Sequence, residues 1–193
     1  MDHRNATAAR RGDWMQTYSG KQFWPLDPQV EDLDIIDIAA ALSKDCRYGG
    51  HTLKFYSVAE HSVLMWREAR RCGASLRDQR TTLLHDGSEG YLRDVIRPIK
   101  PDLANYKAIE HRLMLCIAER FDIDWPIPAH IKALDVRIGL AEAAQIMAPP
   151  PAPWASNSDD MTPLDVRIEC WSPDFAFAQF MGAATRIGVL THA

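Results

Sequence analysis

Apolar side chains recur at the spacing of an α-helix along most of the chain. Ile35, Ile38, Ala39 and Leu42 form one stripe, with Asp34 before it as a predicted N-cap and Gly49-Gly50 closing the region. The spacing predicts a second helix over Ser57–Arg71. Its inner face carries Val58, His61, Leu64 and Met65, and Arg67, Arg70 and Arg71 gather near its C-terminal end, where cations suit the helix dipole. A third helix is predicted from about Leu76 to Gly90 or slightly beyond. It is stopped ahead of Pro98 and Pro101, because proline cannot continue a helix. Asn105–Phe121 repeats Tyr106, Ile109, Leu113 and Ile117, and roughly Ile131–Met147 repeats Ile131, Leu134, Asp135, Ile138 and Ala141. Ser172-Pro173-Asp174 reads as the cap and first turn of a last helix through Ile187, with Gly188 as its stop.

Between these stripes the pattern changes. Residues 14–24 read as a short β-hairpin turning through Tyr18-Ser19-Gly20-Lys21, residues 47–56 as loop or extended chain, and residues 148–163, rich in proline and polar groups, as a surface loop. No repeat at solenoid periods is present. The fold predicted is all-α: an irregular bundle of five to six or more helices with a small N-terminal β-hairpin. It forms one domain over residues 1–193, with its core at about 34–147 and a C-terminal helix at 172–187.

Composition narrows the class of function. With 193 residues, 47% of them hydrophobic and 25% charged, the chain can bury a core without disulfide or metal staples. A net charge of -4 argues against a nucleic-acid polymer as partner, since phosphate contacts need a basic face. Cys46, Cys72, Cys116 and Cys170 are scattered with no Cys-x-x-Cys pair, which excludes a zinc knuckle or thioredoxin-like motif and points to reduced thiols. Met1–Gly12 is charged and Ala-rich without an apolar segment, and no run approaches bilayer length. No membrane association and a cytoplasmic location are expected.

Candidate chemistry centres on His85 and Asp86 in the run Arg80–Glu89, with Glu89 one turn further on. His61 and Asp135 lie on separate predicted helices within apolar stripes, where a carboxylate is costly unless paired, hydrogen-bonded or metal-bound. Each residue taken alone is also explained as a polar group satisfied in a core. Together, two imidazoles and two carboxylates suit a divalent first-row ion, with manganese, iron, cobalt, nickel and zinc as candidates.

The order of these residues extends the reading. A His in Val58-Ala59-Glu60-His61-Ser62, then Leu83-Leu84-His85-Asp86-Gly87-Ser88-Glu89, then Asp135 on a later helix resembles the HD-domain metal-dependent phosphohydrolases. It is similar in particular to the 5'-deoxynucleotidase-like branch, since Arg93-Asp94 and Pro98-Ile99-Lys100 follow the second motif. The resemblance covers about Arg47 to Met147. It implies that His61, His85, Asp86 and Asp135 are the metal ligands, and that Glu89 and Asp94 are acid/base groups whose roles stay interchangeable at this stage. It places Arg47, Tyr48 and Lys100 against the substrate; Tyr48 stands where that branch carries Trp. The activity implied is hydrolysis of a small phosphate ester, foremost a nucleoside or deoxynucleoside 5'-monophosphate, by water activated on the ion. A deoxynucleoside triphosphohydrolase and a non-enzymatic nucleotide sensor are the alternatives, and a homodimer is expected by analogy with related proteins.

Overall fold

The structure is a computed structural model that describes residues 10–152 and 161–189. The N-terminal stretch 1–9 and the middle of the proline-rich loop, 153–160, lie outside the described residues. The predicted hairpin is present: β1 (Met15–Gln16) pairs antiparallel with β2 (Gln22–Phe23), Met15 facing Phe23. Phe23 is fully buried and stacks on Tyr91, with ring centroids 4.1 Å apart. The tip of the hairpin is tied to the first helix, because Ser19 donates from its backbone N and its hydroxyl to the Asp37 carboxylate at 2.6 and 2.9 Å.

Among the described residues, six α-helices of eight or more residues and one four-residue α-helical turn follow. They are α1 (Ile35–Leu42), α2 (Val58–Arg71), α3 (Leu76–Leu84), α4 (Glu89–Leu92), α5 (Tyr106–Phe121), α6 (Ala129–Ile146) and α7 (Pro173–Arg186). Side-chain caps start four of them. Asp34 accepts from Ile36 N, Ser57 from Glu60 N, Ser75 from Asp78 N and Ser172 from Phe175 N, each filling a backbone donor that the first turn leaves unpaired. Helix α6 begins at Ala129, two residues before the predicted start, with Pro128 as its cap residue.

The predicted third helix does not run through to Gly90. It stops at Leu84, and the chain passes through a tight turn into α4, with Gly87 N bonded to Leu84 O at 2.8 Å and Glu89 N to Asp86 O at 3.0 Å. Glycine permits the turn, since a Cβ on Gly87 would stand 3.0 Å from the Leu84 carbonyl oxygen. Gly90 then lets α4 close on α1, where a Cβ would meet Ile38 Cα at 3.3 Å. His85 and Asp86 therefore sit on a turn braced at both ends rather than in mid-helix.

Helix α2 is the centre of the molecule. It packs against α1, α3, α6 and α7, and every residue from Val58 to Trp66 is buried. Phe23, Leu33, Tyr56, Met65, Leu113 and Phe180 belong to one continuous apolar cluster with it. After the proline-rich loop, the described segment from residue 161 runs without helix along α6 to Ser172, burying Leu164, Ile168 and Trp171. Among the described residues no helix is long and apolar enough to cross a membrane. The four cysteines are free thiols.

Candidate metal centre

His61 comes from the middle of α2, His85 from the end of α3, Asp86 from the following turn and Asp135 from α6. His61 Nε2 and His85 Nε2 lie 3.3 Å apart. Asp86 Oδ2 is 3.2 Å from His85 Nε2 and 3.8 Å from His61 Nε2, and Asp135 Oδ1 is 3.4 Å from His61 Nε2. One ligand atom each from His61, His85 and Asp86 falls within 4.8 Å of the others, so this group can hold a metal ion.

The outward nitrogens fix the tautomers. His85 Nδ1 is 2.8 Å from Thr82 O, and a carbonyl only accepts, so Nδ1 carries the hydrogen. His61 Nδ1 donates to Glu142 Oε1 at 2.6 Å. Both Nε2 atoms are thereby left to face each other with acceptor lone pairs, beside two carboxylates. Only a cation, either a proton or a metal ion, reconciles that arrangement; imidazoles whose second nitrogen is tied to a carboxylate or carbonyl are the usual form of metal-binding histidine. The residues present thus fit a divalent ion.

Electrostatics point the same way. Burial opposes ionisation of Asp86, but His85, His61 and Arg47 outweigh it and hold the carboxyl far below its ordinary range. Asp135 is likewise lowered against burial, by His61. Burial and the Arg47 charge work against protonation of His61, while Glu142 and Asp135 favour it, and its pKa is pushed up to about 9. In the metal-free chain a proton on His61 takes the cation's place.

The remaining predicted residues surround this group. Arg47 reaches inward, with Nη1 3.3 Å from Asp86, Nη2 4.0 Å from Asp135 and Nε 3.4 Å from Glu142. Tyr48 adopts a left-handed backbone conformation, φ 59°, which a non-glycine residue holds only when its surroundings enforce it. Its backbone N donates to Asp94 Oδ2 at 3.2 Å and its hydroxyl to Glu142. Lys100 Nζ is 3.6 Å from Glu89 Oε1 and 3.4 Å from Glu110 Oε1. Glu89 Oε2 is buried without a hydrogen-bond partner among the described residues. Burial, then the charges of Asp86 and Asp94, push the Glu89 carboxyl well above its usual range, and burial raises Asp94. A cavity of about 190 Å³ opens onto His85, Asp86, Glu89, Lys100 and Asp135.

Two residues escape a reading of the sequence. Glu142 is fully buried and serves His61, Tyr48 and Tyr56, the Tyr56 hydroxyl at 2.9 Å, beside the Arg47 guanidinium. Burial opposes its charge, but Arg47 and His61 hold its carboxyl well below the ordinary range. The available signal was its position seven residues after Asp135, two turns on along the same face of α6. Glu60 is also fully buried, and its carboxylate accepts the backbone N–H groups of Glu169 and Cys170 at 3.0 Å and of Trp171 at 2.7 Å. Nothing in its local sequence marks it. His111 is exposed and accepts from Trp125 Nε1 at 2.8 Å, and His51 is exposed.

No protein-family model matches the chain. Over 125 residues it is 33% identical to "Uncharacterized protein YfdR" of Escherichia coli (strain K12), covering 64% of this chain and 66% of that protein, just under two thirds of its length. Over 142 residues it is 36% identical to "Uncharacterized protein RCAP_rcc00048" of Rhodobacter capsulatus, covering 69% of this chain and 72% of that protein.

Proposed function

The chain belongs to one family with the Rhodobacter capsulatus protein RCAP_rcc00048, and we propose that this member is a metal-dependent phosphohydrolase acting on a small phosphate ester, foremost a nucleoside or deoxynucleoside 5'-monophosphate. One observation carries the reading: two imidazole Nε2 atoms 3.3 Å apart, each fixed by a bond at Nδ1, meet the Asp86 carboxylate at a cavity. The resemblance of the His61, His85-Asp86 and Asp135 motifs to the HD-domain phosphohydrolases supports it, with Asp135 as the fourth ligand.

His61, His85, Asp86 and Asp135 would hold a divalent ion, whose Lewis acidity would lower the pKa of water toward neutrality and polarise a phosphoryl oxygen. The protein's own groups do the rest. Glu89, kept protonated over more of the pH range by burial and neighbouring carboxylates, is placed to give a proton to the leaving oxygen. Asp94 fixes the Arg47-Tyr48 turn through the Tyr48 amide and thereby the guanidinium between Asp86 and Glu142. Lys100, half-buried beside Glu89, supplies a positive charge for a phosphate oxygen.

The test is product analysis over a panel of nucleoside mono- and triphosphates with manganese, iron, cobalt, nickel and zinc. Orthophosphate release from monophosphates is expected, and Asp86→Ala should abolish it while leaving the far-ultraviolet circular dichroism unchanged. Tripolyphosphate as product would move the assignment to a triphosphohydrolase. Folded, metal-loaded protein that releases nothing would leave a nucleotide sensor.

A further inference from the structure

The cavity beside the metal group is lined by two kinds of side chain. His85, Asp86 and Asp135 belong to the metal group, whereas Met114, Trp125, Ile127 and Ile131 give it an apolar wall. The motifs that contain the polar residues say nothing about this wall, which comes from α5, the segment before α6 and the start of α6 itself.

Trp125 is held in place. Its Nε1 donates to His111 Nδ1 at 2.8 Å, and with Ile127 it packs against the main apolar cluster while staying half-exposed. With its only polar atom satisfied, the indole offers the cavity an apolar surface in fixed orientation, the property that suits aromatic side chains to flat rings. At about 190 Å³ the cavity lies below the roughly 300–1,000 Å³ typical of sites for drug-sized ligands, which suits a compact ester. Asp86, Glu89, Glu110 and Asp135 line the cavity beside Lys100 and Lys132, so within the lining the positive charge open to a polyphosphate chain is confined to two lysines and the proposed ion.

We infer that the Trp125–Ile127–Met114–Ile131 wall is a subsite for a flat ring carried by the phosphate ester, with Trp125 as the residue that sets preference for ring-bearing monophosphates. The inference rests on the phosphohydrolase reading for the phosphate end, but the wall is tested separately.

Adenosine 5'-monophosphate and ribose 5-phosphate differ only in the base, so each is offered to the manganese-loaded full chain. The response is read as kcat/KM where phosphate is released and as Kd by calorimetry where it is not. The ring-bearing ester is expected to be preferred by about tenfold or more. Trp125→Ala should remove most of that preference and leave ribose 5-phosphate within about twofold, Trp125→Phe should retain it, and manganese affinity should not change. Ile127→Ser gives the same ring-selective loss and stands in if Trp125→Ala fails to fold. Equal treatment of both esters by the unaltered chain, or equal loss of both in the variants, overturns the subsite. Ring preference in binding without any hydrolysis removes the hydrolase reading and leaves the subsite standing; failure to bind either ester overturns both.

Discussion

Glu142 concentrates the chemistry of single residues. Its two oxygens serve His61, Tyr48 and Tyr56 and neutralise Arg47, so its charge sets both the tautomer of a metal-facing imidazole and the position of the guanidinium opposite. Glu142→Gln preserves shape and removes that charge. Metal affinity measured against a competing chelator should fall about 10–100-fold, the usual effect of losing the partner behind a ligating histidine. Glu142→Leu removes one of the carboxylates around the buried arginine and leaves the His61 Nδ1 hydrogen and two tyrosine hydroxyls without their acceptor, and chemical denaturation should show a loss of about 3–5 kcal/mol. The metal-facing residues were legible because His61 and Asp135 interrupt apolar stripes and His85-Asp86 form a recognisable pair. Glu142 was not, since a glutamate on a helix ordinarily faces water. Its burial is created by Arg47, Tyr48 and Tyr56, which reach it from 86 to 95 positions away in the sequence.

Among the elements, the turn between α3 and α4 governs the site. It presents His85 and Asp86 from consecutive positions, and Gly87 is what lets it close. Gly87→Ala forces a Cβ to 3.0 Å from a backbone oxygen that cannot rotate away. Thermal melting should register a loss of about 1–3 kcal/mol, with weaker metal binding because the ligand pair is displaced. Helix starts were readable from Asp34, Ser57 and Ser172-Pro173, whose side chains or ring satisfy the first turn locally, and the last helix was stopped where Gly188 takes φ 73°. The break after Leu84 was not, because Leu83, Leu84, Tyr91 and Leu92 keep an apolar pattern running across it. Gly87 and Gly90 were the only sign, and their meaning depends on how closely α1 approaches.

For the whole molecule, the His61 proton stands where the proposed metal ion would bind. The folded pKa of His61, about 9, lies above its unfolded value of about 6.5. In the metal-free chain its charge therefore adds stability that is fully present below pH about 6.5 and is lost as pH rises through about 9. A divalent ion must displace that proton, so apparent metal affinity should strengthen about tenfold per pH unit up to that value, with proton release visible in calorimetry across buffers of different ionisation heat. Once bound at about a hundred times its Kd, the ion should raise stability by about 2.7 kcal/mol.

The Glu60 carboxylate gives this competition a longer reach. Burial outweighs its three backbone N–H donors and raises the carboxyl above its ordinary range, while those donors tie residues 169–171 to α2. Glu60 and His61 are neighbours on α2, so one helix grips residues 169–171 with one side chain and carries a proposed metal ligand as the next. Coupling between two such grips is reciprocal. Metal loading should slow proteolytic cutting within residues 161–172, and Glu60→Gln should speed cutting and weaken metal binding together. Susceptibility of that irregular segment to a protease then becomes a gauge of whether the centre is filled.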